Sequence, residues 1–305
     1  MKNTNNSDKK RTGFIAIVGR PNVGKSTLMN AILGEKVAIV SSKPQTTRNR
    51  IIGIHTRGND QYVFFDTPGI HKPQNRLGDY MVKTANTTMQ DADAVVMVTE
   101  CGKEPTHVEK GIIEYVKNSK IPAILVLNKT DLCDANKVAE SILMYSSLYD
   151  FDAYIPLSAK KRDHVDDVLD ECSKYLEESE FFFPEGMITD QPERQIASEI
   201  IREKILRTLN QEIPHGTAVV IEEFKTEGNL LRIRAEIFCE KPSHKGIIIG
   251  KHGEGLKLIG TYAREDMEKL FGMKVFLDLW VKVKENWRDS VGAVRNFGYD
   301  DSDRN

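Results

Sequence analysis

The first half of the chain alternates between short, continuous apolar runs and stretches with an apolar residue every three or four positions. "FIAIVG" leads into the helical pattern "KSTLMNAIL", and "AVVMVT", "PAILVLN" and "AYIPLS" are each followed by a stretch of helical period. Runs that are apolar at every position read as strands buried on both faces, as happens where helices cover both sides of a parallel sheet. "IIGIHT" and "QYVFFD", separated by "RGN", read as a hairpin that adds one antiparallel edge. Residues 13–178 are therefore expected to form an α/β domain around a mostly parallel, six-stranded sheet. Ligands of such sheets sit beyond the carboxyl ends of the strands, so chemistry is expected just after each strand.

Near residue 180 the pattern breaks. "EESEFFFPEGMITDQPERQ" holds two prolines, a glycine and several acidic residues, which places a linker at 179–189, with Phe181, Phe182 and Phe183 packing between domains. "DQPE" then starts a helix with Asp190 as N-cap and Glu193 three residues later. Ile196, Ile200, Ile201, Ile205 and Leu209 mark its buried face. Two strands follow, "TAVVIEEFKT" and "LLRIRAEIFCE", then a glycine-rich segment, the helix "GLKLIGTYAREDMEKLFG" and the alternating strand "KVFLDLWVKVKE". Residues 190–297 thus read as a second, α+β domain of order α-β-β-α-α-β, with Lys282 and Lys284 facing solvent. The polar ends, 1–12 and 298–305, read as disordered tails.

Composition narrows the class without naming a partner. With 40% hydrophobic and 29% charged residues among 305, each half can bury a core of its own. A formal net charge of −2 means that any contact with an anion must come from local basic patches. Cys101, Cys133, Cys172 and Cys239 are too far apart in sequence for paired metal ligands and read as small buried residues in a reducing compartment. The histidines fall singly, so no structural zinc is expected. The basic N-terminus has no apolar stretch behind it, and the longest apolar runs are far too short to span a bilayer. A soluble, cytoplasmic monomer is expected.

The segments after the strands carry the chemistry. "GRPNVGKST" (Gly19, Arg20, Pro21, Asn22, Val23, Gly24, Lys25, Ser26 and Thr27) fits G-x-x-x-x-G-K-[ST] between a strand and a helix. Its glycines let consecutive backbone N–H groups turn around phosphate, and the helix N-terminus adds a favourable dipole. Lys25 would reach the outer phosphates, and Ser26 would ligate Mg²⁺, a hard cation that takes oxygen donors. "DTPG" (Asp66, Thr67, Pro68 and Gly69) ends the next strand; Asp66 would hold Mg²⁺ through a water and the Gly69 N–H would face the γ-phosphate. In "NKTD" (Asn128, Lys129, Thr130 and Asp131), Asp131 can accept from N1 and the exocyclic amine of guanine, a pattern adenine cannot offer. Asn128 and the Lys129 stem would lie at the base edge and face. "SAK" (Ser158, Ala159 and Lys160) would give a backbone N–H to the guanine oxygen. Four motifs in order after four strands select GTP and GDP over adenine nucleotides.

In many GTP-hydrolysing switches the residue after the "DTPG" glycine is a glutamine that orients the attacking water. Here it is Ile70, which has no hydrogen-bonding side-chain atom. The motif set resembles the translation-factor-related GTPases, and with "KPQTTRNR" it resembles the Era family of ribosome-assembly GTPases. That resemblance assigns Thr47 as a further Mg²⁺ ligand, with Thr46 as the alternative, in a loop (36–50) that orders around γ-phosphate and Mg²⁺. In related GTPases an asparagine at the position of Asn22 helps bind K⁺ near the phosphates, where a cation offsets transition-state charge. The implied catalytic set is Lys25, Thr47, Gly69 and Asn22, giving slow hydrolysis stimulated by K⁺ or by an RNA or ribosomal partner, with Ile70 turned away from the water.

"GIIIGKHGEGLKLIG" contains Gly250, Lys251, His252 and Gly253, a G-x-x-G with the apolar flanks and element order of a type II KH domain. Such loops clamp the backbone of about four nucleotides. Lys251 and His252 would contact phosphate, and Lys245 and Lys257 would extend a basic rim. Acidic and basic residues are nearly balanced in this half, which suits a short single-stranded target. A GTPase followed by one KH domain resembles the Era family over about residues 13–297. The resemblance implies binding near the single-stranded 3′ end of small-subunit rRNA and to the maturing small ribosomal subunit, and a peripheral link to the inner face of the cell membrane. Two alternatives stay open: a nucleotide-gated RNA-binding module that does not hydrolyse, and a membrane-associated regulator of growth or division.

Overall fold

In strand β1 (Arg11–Val18), Ile15, Ala16, Ile17 and Val18 are all completely buried, so this strand needs cover on both faces. In the computed structural model, which describes residues 9–209 and 213–299, β1 has that cover at the centre of a sheet. It pairs in parallel with β3 (Asp60–Asp66) on one side and β4 (Ala94–Glu100) on the other. Beyond β4 come β5 (Ala123–Asn128) and β6 (Ala153–Pro156), also parallel, while β2 (Ile51–Arg57) closes the other side as the antiparallel partner of β3. The order is β2-β3-β1-β4-β5-β6, and a two-residue strand, β7 (Glu177–Glu178), pairs with the start of β1.

The connecting helices are α1 (Lys25–Leu33), α2 (Arg76–Gln90), α3 (His107–Ser119), α4 (Ala135–Ser146) and α5 (Asp166–Cys172). Alternate residues of β1 feed two cores. Ile15 and Ile17 join Leu28 and Met29 of α1 and Val168 and Leu169 of α5. Ala16 and Val18 join Met89 of α2, Ile112 and Val116 of α3, and Tyr145 of α4.

The chain divides into two compact units: residues 9–38, 47–72 and 81–190 in the first, and 39–46, 73–80, 191–209 and 213–299 in the second. The second unit holds α6 (Glu193–Thr208), β8 (Ala218–Glu227), β9 (Leu230–Cys239), α7 (Pro242–Ile249), α8 (Glu254–Phe271), β10 (Lys274–Val283) and a short α9 (Val291–Asn296) that the hydrophobic pattern does not announce. Its sheet order is β10-β9-β8, with β8 antiparallel and β10 parallel to β9. Leu231, Ile233, Ala235, Ile237 and Cys239 alternate along β9 into a core with Ile201 and Ile205 of α6 and Ile259, Ala263 and Met267 of α8. Lys282 and Lys284 are exposed.

Several expectations need correction. Ordered structure of the first domain starts before residue 13: β1 begins at Arg11, whose guanidinium pairs with Asp60 at 2.7 Å, and residues 11–12 pair with both β3 and β7. Helix α6 begins at Glu193 with Pro192 before it, and Asp190 makes no cap: the Pro192 carbonyl accepts from Gln195 and Ile196. Phe182 stacks on Phe14 (5.3 Å) and Phe181 lies under the Lys10 ammonium, so both rest on the first unit's own N-terminal strand region. Tyr299, placed in a disordered tail by composition, is buried against the Trp287 ring. Residues 1–8 and 300–305 of the expected tails lie outside the described residues. Residues 39–46 of loop 36–50 belong to the second unit and bond within it. The Val40 N–H donates to Glu203 (3.1 Å), and the buried Arg202 donates to the carbonyls of Gln45 (3.3 Å) and Thr46.

Candidate functional site

The four nucleotide motifs follow β1, β3, β5 and β6 at the carboxyl end of the first sheet, and one side chain ties three of them together. Asn128 Nδ2 donates to the Val23 carbonyl (2.8 Å), while its Oδ1 accepts from the N–H groups of Lys129 (2.8 Å) and Ala159 (3.0 Å). Sequence reasoning set Asn128 at the base edge; the structure uses its amide to hold the phosphate loop, "NKTD" and "SAK" in register. Asp131 is steadied by Ser158, whose Oγ donates to Oδ1 at 2.6 Å, and the Thr130 N–H donates to Leu157 O. Lys129 has left-handed backbone (φ 66°) and its ammonium meets Glu100 at 3.1 Å. Lys160 is exposed beside the buried Ser158 and Ala159.

Ser26, Thr47 and Asp66 converge although 40 residues separate the first from the last. Ser26 Oγ donates to Asp66 Oδ2 (2.5 Å) and lies 2.9 Å from Thr47 Oγ1, which donates to the same carboxylate oxygen at 3.3 Å. Thr46 instead donates to the Lys43 carbonyl, so Thr47 is the threonine in this cluster. Asp66 Oδ1 is buried without a hydrogen-bond partner. Two hydroxyls and a carboxylate with an unsatisfied buried oxygen form a hard donor set that fits Mg²⁺. Lys25 is buried beside them, its Nζ donating to the carbonyls of Gly19 and Arg20, both at 3.1 Å. Burial pulls Lys25 down to about 8, partly opposed by the Asp66 charge. Burial pushes Asp66 up to about 6, against the pull of Lys25, Ser26 and Thr47.

The "DTPG" segment crosses directly over the phosphate loop. A Cβ on Gly69 would stand 2.8 Å from Cα and N of Pro21, so only glycine lets the two backbones approach this closely. The Ile70 N–H donates to Gly19 O (3.2 Å), and its side chain packs on the core that contains Ala16 and Val18. Thr67 Oγ1 donates to Ile17 O, and Pro68 is buried. Thr27 is half-buried in the first turn of α1, whereas Asn22 is exposed and left-handed (φ 66°).

Two residues here, His71 and Glu109, escaped sequence reasoning, as did the ion pairs of Arg20. His71 Nδ1 lies 2.8 Å from the Gly69 carbonyl, and its Nε2 is buried without a hydrogen-bond partner. Arg20 is held by Glu109 (3.2 Å) and Glu100 (3.6 Å). Glu109, wholly buried, also closes the capping box of α3 with Thr106. The pattern "THVE" carried that last signal, since a threonine three residues before a glutamate marks a helix start.

In the second unit, the G-x-x-G sits between α7 and α8. Gly250, His252 and Gly253 all have positive φ (74°, 52° and 83°), and the Gly250 N–H closes α7 on Gly246 O. A Cβ on Gly253 would meet nothing within 4 Å, so the space before the loop is open to an approaching chain. Lys245, Lys251, His252 and Lys257 are all exposed around it. Ile247 on α7, with Leu258 and Tyr262 on α8, are exposed apolar residues near the loop that periodicity alone does not separate from the core.

Comparison with known proteins identifies the family. A profile described as 50S ribosome-binding GTPase matches residues 14–129, and a KH-domain profile matches residues 212–288. GTPase Era of Ruminiclostridium cellulolyticum is 49% identical over 290 residues, covering 95% of this chain and 97% of the relative. GTPase Era of Clostridium novyi is 51% identical, covering 95% and 99%. The chain belongs to the Era family of GTPases. Among solved Era structures, the complex with MgGDPNP and nucleotides 1506–1542 of 16S ribosomal RNA superposes with a TM-score of 0.90 at 38% identity, covering 95% of this chain and 99% of that one. A tyrosine-to-alanine variant of Aquifex aeolicus Era bound to GDP·AlF4⁻ gives a TM-score of 0.92 at 40% identity, with the same coverage. As an Era-family enzyme, the chain hydrolyses GTP to GDP and phosphate with Mg²⁺ as cofactor. Among the described residues no helix is long and apolar enough to cross a membrane.

Proposed function

We propose that this Era-family GTPase is a cytoplasmic switch that binds the single-stranded 3′ end of small-subunit rRNA through its KH loop and assists assembly of the small ribosomal subunit. The observation that carries the reading is one chain holding both a guanine-nucleotide site and an open G-x-x-G loop rimmed by Lys245, Lys251, His252 and Lys257. The solved Era complex with nucleotides 1506–1542 of 16S ribosomal RNA supports the choice of RNA.

In the nucleotide site Asp131, steadied by Ser158, reads the guanine edge, and Lys25 and the phosphate-loop N–H groups bind the phosphates. Ser26, Thr47 and Asp66 hold Mg²⁺, which neutralises charge on the phosphate oxygens. Ile70 packs against the core and has no hydrogen-bonding side-chain atom, so its side chain takes no part in orienting water. Hydrolysis then rests on electrostatic stabilisation of the transition state, with K⁺ near Asn22 as the additional cation. Gly69, which brings the "DTPG" backbone onto the phosphate loop, positions the attacked phosphate.

Binding of a short oligonucleotide with the rRNA 3′-end sequence, compared between the native chain and Gly253→Asp, tests the RNA assignment. The variant is expected to bind at least about tenfold more weakly, since the added carboxylate projects where phosphate would approach. Equal affinities would remove its basis. Single-turnover hydrolysis in K⁺ against Na⁺ tests the cation: Asn22→Ala should lose the K⁺ stimulation, and an unchanged response to K⁺ would refute it.

A further inference from the structure

Arg20 is the second residue of the phosphate loop, yet its side chain is engaged by carboxylates. Its Nε donates to Glu109 Oε1 at 3.2 Å, and a terminal guanidinium nitrogen lies 3.6 Å from Glu100 Oε2. Glu109 is 1% exposed, so hydrogen bonds rather than water hold its charge. Thr99 Oγ1 donates at 2.7 Å to the oxygen that Arg20 meets, and the Tyr145 hydroxyl, 2.6 Å from Thr99 Oγ1, donates in turn to Thr99. Burial pushes the Tyr145 phenol well above its ordinary range, which keeps it a donor. The other carboxylate oxygen of Glu109 accepts from the N–H and the hydroxyl of Thr106, both at 2.8 Å. Glu109 is therefore fixed from β4 and α4 on one side and by the cap of α3 on the other.

Two links run from this cluster to the nucleotide motifs. The Arg20 carbonyl is one of the two that accept from Lys25 Nζ, at 3.1 Å, so fixing Arg20 fixes an acceptor of the phosphate-binding lysine. Glu100 Oε2 also accepts from Lys129 Nζ at 3.1 Å. One carboxylate at the end of β4 thus faces a cation of the phosphate loop and a cation of "NKTD". We propose that Glu109 and Glu100 form an anionic brace that holds the phosphate loop through Arg20, and that Arg20 is a positioning residue of this loop rather than a ligand of phosphate. The proposal rests on the phosphate-loop reading above and adds to it the role of three side chains.

A planar guanidinium suits this place. Its Nε and terminal N–H groups point in fixed directions, so one side chain meets carboxylates from two elements, the end of β4 and the first turn of α3. Because Glu109 is anchored on both of its oxygens, it cannot follow a loop that moves, and Arg20 is held in turn. A phosphate loop binds through several backbone N–H groups at once, so a displacement of the loop weakens all of them together. An arginine that swung out to phosphate would leave two carboxylates, one of them wholly buried, short of a counter-charge.

The test uses the purified full chain and reads equilibrium titration with a fluorescent GDP analogue in Mg²⁺, single-turnover GTP hydrolysis and urea unfolding. Glu109→Gln and Arg20→Met should each weaken GDP about tenfold, for a loop displaced by less than about 1 Å. The double variant should lie within about twofold of the weaker single one, since both changes break the same contact. Arg20→Lys, close to methionine in length but charged, should bind GDP at least about threefold more tightly than Arg20→Met. The rate of hydrolysis at saturating GTP should fall by less than the affinity does, because Arg20 does not touch the reacting atoms. Arg20 is 26% exposed, so its variants carry the test even where the buried change impairs folding. Native GDP affinity in Arg20→Met, with or without a loss of stability to urea, would overturn the proposal. So would equal affinities of the lysine and methionine variants, losses that multiply in the double variant, or a rate that falls further than the affinity. A native chain that failed to bind GDP would overturn the phosphate-loop reading itself, and the brace with it.

Discussion

Asp66 accepts a hydrogen bond from Ser26 at 2.5 Å through one carboxylate oxygen, while its other oxygen is buried without a partner. A carboxylate in this setting is short of one favourable contact, which a cation would supply. The pH dependence of binding follows. Mg²⁺ binds the carboxylate and not the acid, so the affinity for Mg²⁺·GDP should rise as pH increases through about 6, where Asp66 ionises. Lys25 serves phosphate only as the ammonium, so affinity should fall again as pH passes about 8. Fluorescence titration at constant ionic strength would show the two limbs, and Asp66→Asn should remove the acid one. A flat profile across the lower limb would count against the buried Asp66 as the metal's anchor.

Asn128→Ala should weaken GTP and GDP equally. The substitution removes three hydrogen bonds, two of which tie separate loops together. At about 1 kcal/mol net for each bond, the loss is about 3 kcal/mol, or on the order of a hundredfold in affinity. Equal effects on the two nucleotides would be seen by equilibrium titration. A selective loss of one would show that Asn128 acts through the phosphates instead.

Gly69→Ala should separate binding from hydrolysis. The new methyl would collide with the Pro21 backbone, forcing the "DTPG" segment off the phosphate loop. GDP, which lacks the γ-phosphate, should bind within about threefold of the native chain, while single-turnover hydrolysis falls at least about tenfold, about 1.4 kcal/mol of barrier. Full hydrolytic activity would mean that the crossing has no catalytic role.

Ile70→Gln should not accelerate hydrolysis. The native side chain, partly buried, packs against core residues and its N–H is tied to Gly19, so a glutamine placed there starts from a backbone already held by the phosphate loop. Single-turnover rates should stay within about twofold of native or fall, an energy difference under about 0.5 kcal/mol where they stay. A large acceleration would show that residue 70 can reach the attacked phosphate.

Among the described residues Trp287 is the largest fully buried side chain, and its indole N–H donates to the Gly216 carbonyl at 2.9 Å. Trp287→Phe should keep ring packing against Phe297 but strand that carbonyl, destabilising the second unit by about 1–3 kcal/mol. Trp287→Ala adds a cavity and should destabilise it by about 3–5 kcal/mol. Urea unfolding would measure both, and a smaller effect of the alanine than of the phenylalanine would contradict the packing.

The sequence by itself determined which segments become strands, because continuous apolar runs such as "AVVMV" can be satisfied only under cover on both faces. It thereby determined where the nucleotide motifs fall, since a phosphate loop or a guanine motif has meaning only just beyond a strand. It also located the G-x-x-G loop, from two glycines at fixed spacing between apolar flanks. Contacts between distant segments were decided only in three dimensions. Two adjacent threonines are chemically alike, and only the placement of loop 36–50 turns Thr47 toward Ser26 and Asp66 and Thr46 back to Lys43. The same holds for Asn128, whose partners Val23 and Ala159 lie far away in sequence, and for Asp190, a plausible cap that Pro192 supplants. Periodicity is a property of neighbours along the chain. A hydrogen bond is a property of neighbours in space, which here bring Thr47 to Asp66 and Asn128 to Val23.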